Sequence, residues 1–227
     1  MTATPAFLDS PLAAFAPAIS PALAHERQFV FVGERLWLDF VNSDALRTLD
    51  ALRDFETMMS WLEAAAMLDG ERGQGMRRRA REQPSGAAAA LVDARRVRTA
   101  LRVLAERGAA SATGDQVRYE ALGEINRVLG RSAGTRRVER RGDGTYARTF
   151  VPVGDAFAGL MIPVVESAAD ALILGELSRV RRCADSRCAR VFYDSTKNGR
   201  RRWCDMATCG NRAKAARHRQ KLRETAD

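Results

Sequence analysis

The sequence predicts an α+β fold: a helix-rich N-terminal body with short strands and hairpins, followed by a small C-terminal unit. Three observations carry this. Apolar residues recur at helical spacing over 44–68, 87–107, 115–130 and 155–182. A glycine-punctuated alternating stretch at 136–153 reads as a hairpin. All four cysteines of the 227-residue chain fall between 183 and 209. With 46% hydrophobic and 29% charged residues, the chain is a globular one able to bury a core.

Residues 1–24 are rich in Ala and Pro and read as a disordered lead-in. They have no basic start, and Asp9 and prolines interrupt the apolar run, so no secretory signal is expected. Segment 28–43, QFVFVGERLWLDFVNS, is rich in β-branched and aromatic residues broken at Gly33, and reads as a strand or hairpin ending near Asn42 and Ser43. Residues 44–68 carry Leu46, Leu49, Leu52, Phe55, Met58, Met59, Leu62 and Ala66, one or two helices ended by Asp69-Gly70. Segment 71–86 is polar, with three glycines and a proline, and reads as a loop. A helix follows over 87–107, with Leu91, Val97, Leu101 and Leu104 apolar, and another over 115–130, with Val117, Leu122, Ile125 and Leu129. The hairpin at 136–153 turns at Gly142-Asp143-Gly144. A last long helix over 155–182 runs into Cys183. The domain reading is 1–24 lead-in, 25–180 body and 181–227 finger.

The cysteines follow the pattern Cys183-x4-Cys188-x15-Cys204-x4-Cys209. Two close pairs joined by a short insert suit a tetrahedral cation. No long segment is apolar enough for a membrane span, and a cytoplasmic location follows as the default; there, paired thiols serve metals more often than disulfides. Iron–sulfur spacings differ from these. The expectation is one Zn2+ per chain, held by Cys183, Cys188, Cys204 and Cys209. RVFYD reads as a strand, STKNG as its turn and RRRWC as the return strand; the segment after Cys209 reads as a basic helix. A knuckle, a hairpin and a helix describe a treble-clef-like finger.

Charge is divided unevenly. Residues 179–223 hold 15 Lys and Arg against 3 Asp and Glu, a net of +12, while the rest of the chain is at −3. A local polyanion-binding module follows rather than a generally basic protein. Lys197, Arg200, Arg201, Arg202, Asn211, Arg212, Lys214, Arg217, Arg219 and Lys221 are the candidate nucleic-acid contacts. The two histidines, His25 and His218, lie at opposite ends, and no phosphate loop or nucleophile elbow is present, which argues against an enzyme. In the body, Asp39 and Asn42 are the candidates for an effector pocket; the structural alternative is an Asp39 paired with Arg95 or Arg98 and an Asn42 turn cap.

FYD, RRWC and above all CGNR (209–212), with Lys214 downstream, resemble the CGNR zinc finger. LWLDFVNS (36–43) and the helix around Trp61-Leu62 resemble the start of the ABATE domain, which usually precedes that finger and is named as a stress-induced transcription regulator. The resemblance covers about residues 28–222. It implies an α+β body carrying a DNA-binding zinc finger, and no particular ligand. Arg200 and Asp205 depart from the commoner form of the finger, in which serines flank Arg-Arg-Trp-Cys. The resulting reading is a bacterial-type, cytoplasmic, zinc-dependent DNA-binding regulator, with a sensing or homodimerising body. The alternatives are an RNA-binding or ribosome-associated zinc protein, or a zinc-stabilised module for an acidic protein partner.

Overall fold

The computed structural model describes residues 29–44, 50–109, 114–131, 133–140 and 144–225. The lead-in, His25, Leu46, Leu49 and the turn residues Gly142 and Asp143 lie outside them. In chain order the elements are α1 (Leu36–Val41), α2 (Phe55–Ala64), α3 (Gly70–Glu82), α4 (Pro84–Arg107), α5 (Gly114–Arg131), β1 (Gly134–Arg140), β2 (Tyr146–Pro152), α6 (Ile162–Ile173), β3 (Val180–Arg182), β4 (Val191–Tyr193) and α7 (Asn211–Glu224). The fold is α+β, as the sequence predicts: helices dominate, and the strands form two short antiparallel pairs.

The centre of the body is α1. Trp37, Leu38, Phe40 and Val41 are fully buried, and α1 packs on α4, α6 and β4. The expected strand at 36–41 is thus a helix. With four of its six residues fully buried, the run has no clean polar face and shows neither helical nor strand periodicity. The chain turns into α1 at Gly33, where a Cβ would lie 2.8 Å from both the Asp39 nitrogen and the Leu38 Cβ. Only glycine fits that approach.

In α2, Asp54 caps the helix by accepting from the Thr57 N–H at 2.7 Å, and Met58, Met59, Trp61 and Leu62 are buried. The segment expected as a loop is α3. Asp69 does not end a helix but starts this one, accepting from the Arg72 N–H at 2.7 Å. Arg77 of α3 reaches Glu56 at 2.6 Å and grips Glu63 with two bonds, at 2.5 and 3.0 Å. Ion pairs and a cap hold α3 in place of an apolar stripe, so the hydrophobic pattern does not reveal it. The expected helices at 87–107 and 115–130 are α4 and α5. Leu122 is exposed, however, and the buried apolar side chains on α5 are Val117, Ala121, Ile125 and Val128.

β1 and β2 pair from Gly134↔Pro152 to Arg140↔Tyr146, the expected hairpin. The expected helix at 155–182 is shorter. It begins properly at Ile162 with Pro163 in its first turn and stops at Ile173. Gly175, at φ +68°, breaks it, and a 3₁₀ turn (Glu176–Arg179) leads into β3. β3 then pairs with β4, Val180↔Tyr193 to Arg182↔Val191. The partner of β4 is therefore β3, and RRRWC is irregular rather than a return strand. Val180 and Val191 belong to the body's core, while Phe192 points into the finger's own small core with the cysteines.

Candidate metal centre and nucleic-acid interface

Each cysteine sits on a backbone feature that orients it. Cys183 follows β3, its N–H bonded to the Arg190 carbonyl at 2.9 Å. Cys188 ends a tight turn in which its N–H bonds to the Asp185 carbonyl at 2.8 Å. Cys209 lies in a π-turn (Met206–Gly210) that feeds α7, and Asp205 caps that turn through the Ala207 N–H at 3.0 Å. The four sulfurs lie within 4.8 Å of one another, and all four residues are buried. Cys204 Sγ stands 3.7 Å from both Cys188 Sγ and Cys209 Sγ. A zinc ion with Zn–S bonds of about 2.3 Å needs tetrahedral edges of roughly 3.8 Å, and a disulfide needs about 2.05 Å. The donor set fits zinc.

Thiol chemistry agrees. Burial, then repulsion from the neighbouring sulfurs, pushes the Cys204 thiol far above its ordinary range, and burial lifts Cys209 to about 11. Burial also opposes ionisation of Cys183, but hydrogen bonds from the backbone of Cys204 and Asp185 outweigh it, leaving that thiol below its usual value. Four clustered sulfurs ionise together only around a cation, which is what a divalent metal supplies.

The shell around the cysteines uses two arginines expected at a nucleic-acid face. Arg212 Nη2 donates to Cys209 Sγ at 3.0 Å, and its Nε donates to Asp185 at 2.8 Å. Arg201 donates to the carbonyls of Trp203 at 3.0 Å and Cys204 at 2.5 Å, lies 4.6 Å over the Phe192 ring and pairs with Glu34. Both side chains face the metal knuckles. Asn211 is exposed, its amide bonded to the Ala207 carbonyl at 3.0 Å. Lys197, Arg200, Arg202, Lys214, Arg217, Arg219 and Lys221 are exposed, and Arg202 stacks 5.1 Å from the Trp203 ring centre.

Asp39 and Asn42 are both committed to backbone. Asp39 accepts from the Gly33 N–H at 2.7 Å, and burial raises its carboxyl to about 6. Its expected partners are engaged elsewhere: Arg95 donates to the Leu52 carbonyl, and Arg98 pairs with Asp50 at 2.6 Å. Asn42 is 3% exposed and grips β4 with both ends of its amide, donating to the Val191 carbonyl at 2.7 Å and accepting from its N–H at 2.9 Å. It acts as a neighbouring strand for the edge of β4. The Gly33 carbonyl continues that edge by accepting from the Tyr193 N–H at 2.9 Å. Arg35 lies 3.9 Å over the Tyr193 ring while pairing with Glu176 at 2.6 Å. Sequence reading missed this seam between finger and body. It also missed Asp194, fully buried, which accepts from Thr196 and from the Arg201 N–H at 2.9 Å. The Asp-Ser-Thr turn pattern was the available signal.

One family model, described as "putative stress-induced transcription regulator" and named ABATE, matches residues 34–175. The chain belongs to the ABATE family. A second model, the CGNR zinc finger, matches residues 179–221, directly after it. No curated protein matches the chain. The two matched families are of regulator and zinc-finger type, not enzymatic, and the four cysteines of the CGNR finger are the site of one Zn2+. Among the described residues no helix is long and apolar enough to cross a membrane.

Proposed function

We propose that this ABATE protein is a zinc-dependent, DNA-binding transcriptional regulator of the cytoplasm, without catalytic activity, in which the finger makes the DNA contacts and the body sets the finger's orientation. The observation that carries this reading is α7. None of its 14 residues is buried, and six are Lys or Arg against a single Glu224. A helix with no apolar stripe gains nothing from packing on its own fold, and its cations repel one another. Bound phosphates relieve that repulsion and release counterions.

The surroundings extend the same surface. Lys197, Arg200 and Arg202 are exposed on the finger insert, so the basic footprint spans two segments tied to one metal core. Arg201 and Arg212 contribute indirectly. By fixing the knuckles and the start of α7 they set where the exposed cations stand, while phosphate contact falls to the others. The seam at Asn42, Gly33 and Arg35 ties the finger to α1, so its pose follows the body's packing.

The test is competition. Zinc-loaded full-length protein is bound to a labelled duplex library at fixed salt and challenged with unlabelled duplex, a structured RNA and heparin. Enrichment of a defined duplex sequence that RNA and heparin displace poorly supports the reading. Equal displacement by heparin reduces it to unspecific polyanion binding, and preferential displacement by RNA moves the function to RNA.

A further inference from the structure

An apolar opening in the body lies away from the finger, between α3, the end of α2, β2 and the start of α6. Its volume is about 600 Å³, within the roughly 300–1000 Å³ usual for small-molecule sites. Leu36, Leu62, Met67, Met76, Phe150 and Leu160 give it apolar walls. The two methionines let those walls adapt to an occupant's shape.

Its polar groups converge from two sides. Arg72, Met76 and Arg79 recur at helical spacing on α3, so one face of that helix is turned to the cavity, and Arg78 joins the rim. Arg72 is neutralised by Glu139 at 2.9 Å. Arg78 and Arg79 pair with no carboxylate among the described residues, although Glu82, the one acid on the lining, stands one turn away. From the opposite wall comes Thr149, whose Oγ1 is buried and has no hydrogen-bond partner among the described residues. A buried hydroxyl without a partner is costly, and a ligand oxygen would satisfy it.

We propose that this cavity binds an amphipathic organic anion, a small molecule with an aliphatic or aromatic body and one carboxylate. The body fills the space among Leu62, Met76, Phe150 and Leu160. The carboxylate faces Arg78 and Arg79, and an oxygen of the ligand takes the Thr149 hydroxyl. The floor of the cavity gives the site its place in a regulator. Leu36 opens α1, and the adjacent Arg35 and Glu34 hold Tyr193 and Arg201 of the finger. Only that regulatory meaning rests on the DNA-binding reading; binding of the anion does not.

Calorimetric titration of the zinc-loaded full-length protein with decanoate and 2-naphthoate, each beside its neutral alcohol, tests the assignment. At least one carboxylate should bind one per chain, about tenfold more tightly than its alcohol. The double variant Arg78→Gln, Arg79→Gln should erase that preference while the alcohol binds as before. Gly75→Leu should block every probe, since residue 75 lies on the lining and a Cβ there meets nothing nearer than the Arg78 guanidinium at 3.8 Å, so no backbone has to move to admit it. Binding by neither carboxylate overturns the proposal. So does equal binding of the alcohols, or binding unchanged by Gly75→Leu.

Discussion

Replacing Asn42 by Leu removes the two-point grip on β4 with little change in volume, so the cavity contribution is small. Val191 is fully buried, and its N–H and C=O bond to Asn42 at 2.9 and 2.7 Å. Each buried group left unsatisfied costs about 1–3 kcal/mol, so the variant should lose about 3 kcal/mol after partial relaxation. For a chain of this length that lowers the thermal midpoint by roughly 6–12 °C. Thermal unfolding at saturating zinc gives the midpoint, and native-state hydrogen exchange at the Val191 and Tyr193 amides locates the loss. Asn42→Asp is the second arm: it keeps the acceptor for the Val191 N–H but sets a carboxylate against the Val191 carbonyl, and should be no better than Leu. A loss under about 1 kcal/mol, with the Val191 amide still protected, would refute the claim that this residue joins finger to body.

Three further outcomes follow from the site. Cys204→Ser should fall well below one zinc per chain by elemental analysis and lose exchange protection across 183–209; a full complement of zinc in that variant would contradict the four-thiolate centre. Arg212→Gln should weaken zinc affinity by about 10–100-fold in a chelator competition, because Cys209 and Asp185 lose their shared partner; unchanged affinity would leave Arg212 free for DNA. Asp39 has its folded pKa raised from 3.8 to about 6, so the stability it contributes is full below about pH 4 and is lost as pH rises through 6. Between pH 5 and 7 the wild type should lose about 1.3 kcal/mol relative to Asp39→Asn; parallel stability curves would mean that the carboxyl is not held in a dehydrating site.

The metal centre was legible because ligand spacing is a property of the chain itself. α4 and α5 were legible because each has one face in the core and one in water, and the β1–β2 hairpin because glycines punctuate its alternating stretch. α1 was not, since Trp37, Leu38, Phe40 and Val41 are buried all round and aromatic and β-branched residues resemble a strand. α3 hid for the opposite reason, being held by Asp69 and by the Arg77 bonds to Glu56 and Glu63. The apolar run of α6 continues through Leu177 and Val180 across Gly175, so pattern alone overshot its end and replaced β3 with helix. Counting charges located the basic end correctly but gave no direction to its side chains. Arg201 and Arg212 are as basic as Arg217 and Arg219, yet they turn inward because a carbonyl, a sulfur and a carboxylate lie within their reach. Asn42 showed as a polar residue in an apolar setting, and only the fold reveals that its partner is 149 residues away.

The most direct test of the account is the salt dependence of duplex binding by the zinc-loaded full-length protein. Neutralising about five phosphates predicts a log–log slope of roughly −4.5, and Arg217→Gln, Arg219→Gln and Lys221→Gln together should weaken binding and bring the slope to about −2. No measurable duplex binding, or an affinity that ignores both salt and the triple substitution, would contradict the assignment of α7 as the DNA-contacting helix.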